Sequence, residues 1–363
     1  MVEAFQAHIA RTVRLMNNVD HISRKKIPFA ISKSFRRYLK RYAREISLPI
    51  AYDTLKHFNF SIPVMDQAGQ DTLWETVFYN PSLTNEIHAA LKRTYSILKA
   101  SGHTHAEEHL YIERIDYCLF ANSKPFRIKI VNNFNEVYDY FYIKVADASR
   151  LFGLELEHLL SPNFLNFLVD GNTLVEEHIS GVPGDMFIKQ YLHRPEFNPK
   201  RIAKEFVKFN ERCFIRLLGD MRRYNFVFDI TQDFDDVQFK IRSIDFDQQS
   251  YEGSKKLYLP QFYKENLVFV QLVKQHLNNE VILQYQQEER SQIIRRIKSE
   301  RQRLRDLRVA AAEDPLSTEP KIKQLAGELS VHYNNNPVFL DCTTMPQLMY
   351  QHLKELLISN RKE

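Results

Sequence analysis

The stretch LLGDMRRYNFVFDI, residues 217–230, sets a polar knot between two apolar runs. The knot holds an acid, Asp220, two guanidinium groups, Arg222 and Arg223, and an amide, Asn225. Asp220 and Asn225 are spaced D-x-x-x-x-N. A second acidic motif, IDFD, carries Asp245 and Asp247, and Lys144 stands inside the run YIKVA. Carboxylate and carboxamide oxygens suit a hard cation such as magnesium, and a positioned carboxylate can also take a proton. Such polarity between segments that look buried is expected where a loop lines a cleft.

The elements that must hold these groups follow from periodicity. Residues 1 to about 100 read as helical, with Phe5, Ile9, Val13, Leu15 and Met16 recurring at three and four residues and a second helix in NPSLTNEIHAALKRTYSILKASG. From Leu110 to Val145 the chain turns to Tyr, Phe, Ile and Val. LYIERIDYCLFA, FRIKIVN and EVYDYFYIKVA read as three strands of a meander with short breaks. A helix follows in SRLFGLELEHLL, which carries Glu155 and Glu157, and then a strand in NTLVEEHI. NPKRIAKEFVKFNERCFIRLLG places Ile202, Phe206, Phe209, Phe214 and Leu217 at helical spacing and leads into the polar knot. NFVFDI and VQFKIRSIDFD read as two further strands, and the chain beyond Tyr258 as helical, with a long exposed charged helix from Asn279 to about Ala311. EDPLSTEP reads as a linker. The layout is α+β.

In this order, the strand lysine, helix glutamate, loop aspartate and asparagine, and strand-end aspartate resemble the protein-kinase-like superfamily, across roughly the Leu110–Val270 half of the chain. The IDFD form is similar to small-molecule kinases of the choline kinase and aminoglycoside phosphotransferase type. The resemblance implies a two-lobed fold, a small antiparallel sheet over a helical lobe, with ATP and Mg2+ between them. Lys144 would hold the nucleotide's phosphates and pair with Glu155, or with Glu157 as the alternative. Asp220 would take or orient the proton of the attacking hydroxyl, with Arg222 near the transferring phosphate, and Asn225 and Asp245 would hold magnesium. Backbone groups from Glu176 to Ile179, including Glu177 and Ile179, would meet adenine. No glycine-rich loop lies between the first strands, so FANSKPF, through Ser123, would have to cover the phosphates. Phosphoryl transfer needs cations around crowded oxygens and an acid at the nucleophile, which accounts for the residue types. The implied division is a helical extension over 1–108, an N-lobe over 109–178, a C-lobe over 179–275 and a second helical extension over 276–363.

Other signals read more simply. His103, His105 and His109 in GHTHAEEH have zinc-like spacing but no HExxH and no obvious distant ligand, so a surface turn accounts for them. Asp229, Asp233, Asp235 and Asp236 lack the glycine and final glutamate of a calcium loop. The basic run from Arg24 to Arg44 reads first as a helix face neutralised by acids elsewhere in the fold, and second as a nucleic-acid patch.

Composition sets the outer bounds. The 363 residues are 44% hydrophobic and 26% charged, an ordinary globular balance. Only 9 glycines are present, with neither GxGxxG nor GxxxxGK[ST], which argues against Rossmann and Walker sites. Three scattered cysteines make no disulfide framework, and no run approaches the roughly 18 apolar residues of a membrane helix. The expectation is a cytoplasmic enzyme that binds a nucleotide and an unidentified phosphate acceptor. The alternatives are a kinase-like module that binds nucleotide or a partner without turnover, and a basic nucleic-acid-binding protein.

Overall fold

A computed structural model describes residues 26–66, 69–100, 107–195, 197–233 and 236–359. Helix α1 (Lys33–Arg41) and the short α2 (Tyr52–Leu55) precede strands β1 (Phe60–Met65) and β2 (Asp71–Phe78). Helix α3 (Pro81–Ala100) leads to β3 (Leu110–Tyr117), β4 (Phe126–Asn132) and β5 (Tyr138–Val145). Helix α4 (Ala148–Leu160) then crosses to the hairpin β6 (Phe167–Asp170) and β7 (Thr173–Glu177). These seven strands form one antiparallel sheet in the order β1-β2-β3-β4-β5-β7-β6. The fold is α+β, roughly half helical, with a large sheet rather than the small one expected.

The three-strand meander is found where the pattern places it, with Phe126 facing Ile143 and Leu110 facing Asn132. Alternation decides its faces. Phe126, Ile128, Ile130, Phe141 and Ile143 point to a core that α3 covers with Ile87, Leu91 and Leu98. Arg127, Lys129, Tyr140, Tyr142 and Lys144 therefore take the opposite face. The expectation of an all-helical segment up to residue 100 fails between Phe60 and Phe78, where β1 and β2 pair as a hairpin. Thr, Val, Phe and Trp favour a pleated surface, and Pro63 is tolerated because β1 is an edge strand. The amphipathic pattern proposed for residues 5–16 lies outside the described residues.

The second half of the chain is mainly helical. It comprises α5 (Gly184–Gln190), α6 (Pro199–Arg216), α7 (Leu267–His276), α8 (Asn279–Ser299), α9 (Arg301–Ala311), α10 (Glu319–His332) and α11 (Met345–Ser359). A small sheet joins β8 (Val182–Pro183), β9 (Phe226–Asp233) and β10 (Asp236–Ser243). Helix α6 begins with Asn198 accepting from the Lys200 amide and Pro199 in its first turn, and buries Ile202, Phe206, Phe209 and Phe214. The long charged helix breaks at Glu300 into α8 and α9, which are not simply exposed: Ile293, Ile294, Leu304 and Leu307 are buried. The segment read as a linker is packed through Leu316. Strands β6 and β7 lie between the two cores. Phe167, Val169 and Leu174 face the helical core, while Leu168 and Val175 face the core under α3.

Candidate active site

The polar knot follows the end of α6. Leu217, at φ 50°, and Asp220, at φ 55°, are both left-handed, a conformation costing roughly 1–2 kcal/mol for a residue with a side chain. The surroundings over-determine it. Gly219 N–H donates to the Gln248 carbonyl at 3.2 Å and Ser250 N–H to the Leu217 carbonyl at 2.8 Å, so the loop runs beside the segment that follows β10. Asp220 N–H donates to the Tyr263 hydroxyl at 2.9 Å. Strain held in this way is common at functional loops.

Asp220 is the centre of this loop. Its Oδ1 accepts from Arg222 Nε at 2.7 Å, and its backbone carbonyl accepts from Asn225 Nδ2 at 2.7 Å. Its Oδ2 has only a long contact to the same amide, 3.4 Å. Arg222 also reaches Glu265 at 2.7 Å and lies over the Tyr263 ring. Burial pushes the Asp220 carboxyl up to about 6; Arg222 pulls it back, and the charges of Asp245 and Glu252 add to the rise.

Asp245 is near enough for its charge to act on Asp220, and Asp247 follows two residues on. Asp245 Oδ1 accepts the Asp247 N–H at 3.0 Å. Burial and the Asp247 charge hold the Asp245 carboxyl above its usual range, against the pull of Lys144 and Arg150. Burial also acts upward on Asp247, but Arg150, Lys26 and a hydrogen bond from Asn122 overcome it and hold that carboxyl low. Arg150, near the start of α4, ion-pairs Asp247 through its NH2 group and donates to the Val145 carbonyl at 2.8 Å. Lys26 Nζ bonds Asp147 Oδ1 at 2.6 Å and the Asp247 carbonyl at 2.7 Å. Asp147 also caps α4 by accepting from the Arg150 amide at 3.1 Å.

Lys144 stands at the end of β5, but its partner is not on the following helix. Its Nζ lies 2.5 Å from Glu176 Oε2 on the neighbouring β7. Glu155 is fully buried and engaged elsewhere. It accepts from Tyr38 at 2.6 Å, Arg44 at 3.0 Å and Arg303 at 2.8 Å, tying α1, α4 and α9 together. The alternative, Glu157, pairs with Arg216. Both expected helix partners are thus corrected. Glu176, opposite Tyr142 on β7, shares the sheet face that carries Lys144, while Glu155 and Glu157 of α4 are taken up by Arg303 and Arg216.

The remaining expected residues divide. The Ser123 carbonyl accepts the Val145 N–H at 3.3 Å, so the β3–β4 turn folds over the end of β5, and Asn122 of that turn reaches Asp247. Ile179 is buried just past β7. The Glu177 N–H donates to the Asn166 carbonyl at 3.1 Å, and its carboxylate accepts from the Asn166 backbone N–H at 2.7 Å. Lys26, Asn122, Asp147 and Arg150 were not singled out from sequence. Only the Asp147 cap and Arg150 just inside the helix leave a local trace; Lys26 is hidden in a basic run. Four cations of that run meet acids: Lys26 pairs with Asp147, Arg36 with Glu45, Arg41 with Asp306 and Arg44 with Glu155. His103, His105 and Asp235 lie outside the described residues.

Among the described residues no group of three or more His, Cys, Asp or Glu side chains gathers at metal-ligand spacing. The donor set near Asp245 suits magnesium nonetheless. It offers hard oxygens from Asn225, Asp220 and Asp245; both carboxyls are raised by burial, that of Asp220 further by Asp245 and that of Asp245 further by Asp247. Among the described residues no helix is long and apolar enough to cross a membrane. No protein-family model matches this chain, and no curated protein sequence does.

Proposed function

We propose that this chain is a two-lobed, kinase-like phosphotransferase that uses ATP and magnesium. One observation carries the reading: Asn225 donates to the Asp220 carbonyl at 2.7 Å and its own carbonyl accepts the Ile244 N–H at 3.0 Å, beside Asp245, while the charge of Lys144 acts on Asp245 and that of Asp245 on Asp220. The meander, crossing helix and returning hairpin before a helical half support the same arrangement.

In this reading Lys144, oriented by Glu176, binds the nucleotide's phosphates. Asn225 and Asp245 would hold magnesium, which when bound would neutralise charge on those phosphates. Arg222 fixes Asp220 through Oδ1 and leaves Oδ2 as the less engaged oxygen. Asp220 Oδ2 accepts the proton of the acceptor's hydroxyl as the oxygen bonds to the γ-phosphorus and the bond to the β–γ bridging oxygen breaks, releasing ADP. A carboxyl with a pKa near 6 is ionised at neutral pH and still basic enough for that task. The three unpaired thiols support a reducing, cytoplasmic setting.

A second reading, nucleotide or partner binding without turnover, is favoured by the cations and amide already held on Asp247. Calorimetric titration of ATP with magnesium into the wild type and Asp245→Ala tests the site. Magnesium-dependent binding lost in the variant supports it, and absence of binding to the wild type overturns it. ATP turnover that disappears in Asp220→Ala then selects transfer over binding alone.

A further inference from the structure

Away from the active site, α9 and α11 flank a groove of about 820 Å³, with α8 contributing Ile297 at its wall. Its apolar lining is Ile297, Leu304, Val309, Leu353 and Leu357. Val309 is 64% exposed at its edge. The hydroxyl of Tyr350, another lining residue, is buried without a hydrogen-bond partner.

The rim is basic. Arg301, Arg305 and Arg308 line the α9 side and Lys354 the α11 side, and all four are exposed. Among the described residues no ion pair is recorded for any of them, although the same helix satisfies its other charges. Arg303 binds Glu155, and Asp306 accepts from Tyr42 and pairs with Arg41, all toward α1. Helix α9 therefore segregates its charges: those facing α1 are paired and those facing the groove are not.

The spacing of the free cations indicates what they fit. Steps of four and three residues put Arg301, Arg305 and Arg308 on one face, spread along about 10 Å of helix. A single phosphate or lipid headgroup needs cations that converge on one point. A linear row beside an apolar trough matches a helix with acids at i, i+4 and i+7 and apolar residues on the adjacent stripe. We propose that the α9–α11 groove is a docking site for an acidic amphipathic helix of a partner protein, with the arginine row setting its register. This inference does not depend on the phosphotransferase reading.

The test uses the full chain and a fluorescent peptide of about 18 residues, helical over ~27 Å, with Glu at i, i+4 and i+7 and Leu on the neighbouring stripe. Anisotropy is expected to show saturable binding that weakens about tenfold or more in the triple variant Arg301→Glu, Arg305→Glu, Arg308→Glu. A control triple, Lys56→Glu, Arg93→Glu, Lys323→Glu, changes net charge equally at exposed sites elsewhere and should bind as the wild type does. Cys342 lines the groove, so bound peptide should slow its alkylation. Equal binding of a scrambled peptide, equal loss in the control triple, or no binding would overturn the proposal. So would binding to phosphatidylserine vesicles, lost in the groove triple, without binding to the peptide.

Discussion

The ammonium of Lys144 lies 2.5 Å from the carboxylate of Glu176, on the strand paired to its own, while Glu155 on the following helix is bound by Tyr38, Arg44 and Arg303. The two glutamates have separate roles, and substitution should separate them. Glu176→Gln is expected to weaken ATP binding and, because it breaks a buried pair, also to lower the denaturation midpoint. Glu155→Gln is expected to leave ATP affinity alone and to cost roughly 3 kcal/mol, because it strips a shared partner from two guanidinium groups, one of them buried. Calorimetry and urea denaturation on both variants check this, and the reverse pattern would return Glu155 to the site.

Asp220 should trade stability for activity. Its carboxyl is raised above the unfolded value, so ionisation penalises the folded state as pH rises from about 4 through 6. In magnesium-free buffer at neutral pH, Asp220→Asn is expected to raise the unfolding free energy read from urea denaturation, by on the order of 1–3 kcal/mol. The same substitution should lower phosphoryl transfer about a hundredfold or more. A variant that is both less stable and fully active would remove Asp220 from the role given to it.

Histidine burial sets an acid limit. The imidazole of His352 is pushed down to about 3, mainly by burial, and those of His158 and His332 to about 4. Each is neutral in the folded chain while the unfolded chain takes up a proton below about pH 6.5. Stability is therefore full above that pH and falls as pH drops from 6.5 toward 4, by up to about 1.4 kcal/mol per pH unit for each fully buried imidazole. Urea midpoints at pH 7.5, 6 and 5 measure the slope, which His352→Asn should flatten, while the lost bond to the Phe214 carbonyl lowers stability equally at each pH above 6.5.

Gly184 positions the active loop by having no side chain. A Cβ there would press on the Arg223 carbonyl and come within 2.7 Å of the Phe226 ring. Those residues bracket Asn225, so Gly184→Ala should cost roughly 1–3 kcal/mol and weaken magnesium-dependent ATP binding together. A variant that loses stability with unchanged ATP affinity would show that the loop absorbs the shift elsewhere.

Local patterning made much of this fold legible. Alternation in FRIKIVN and EVYDYFYIKVA fixed which residues face α3 and put Lys144 on the opposite side. The 3.6-residue period of α6 and the D-x-x-x-x-N after it located the loop. What was hidden depends on distant pairing. Lys26 meets Asp247 across 221 residues, and nothing around RKKIP distinguishes that lysine from its neighbours. The Glu176 partnership was missed because helix and strand both offered acids, and only the direction in which α4 packs decides between them. The β1–β2 hairpin was lost between two strong helical signals.

The β6–β7 hairpin, with side chains committed to both cores, has a consequence for how the molecule comes apart. Neither core can melt while the other stays native unless this ribbon first gives up half its contacts. Amide protons of Val169, Leu174 and Val175 should thus exchange only with the slowest, global opening, and denaturation should proceed in one concerted step despite the two separate apolar clusters.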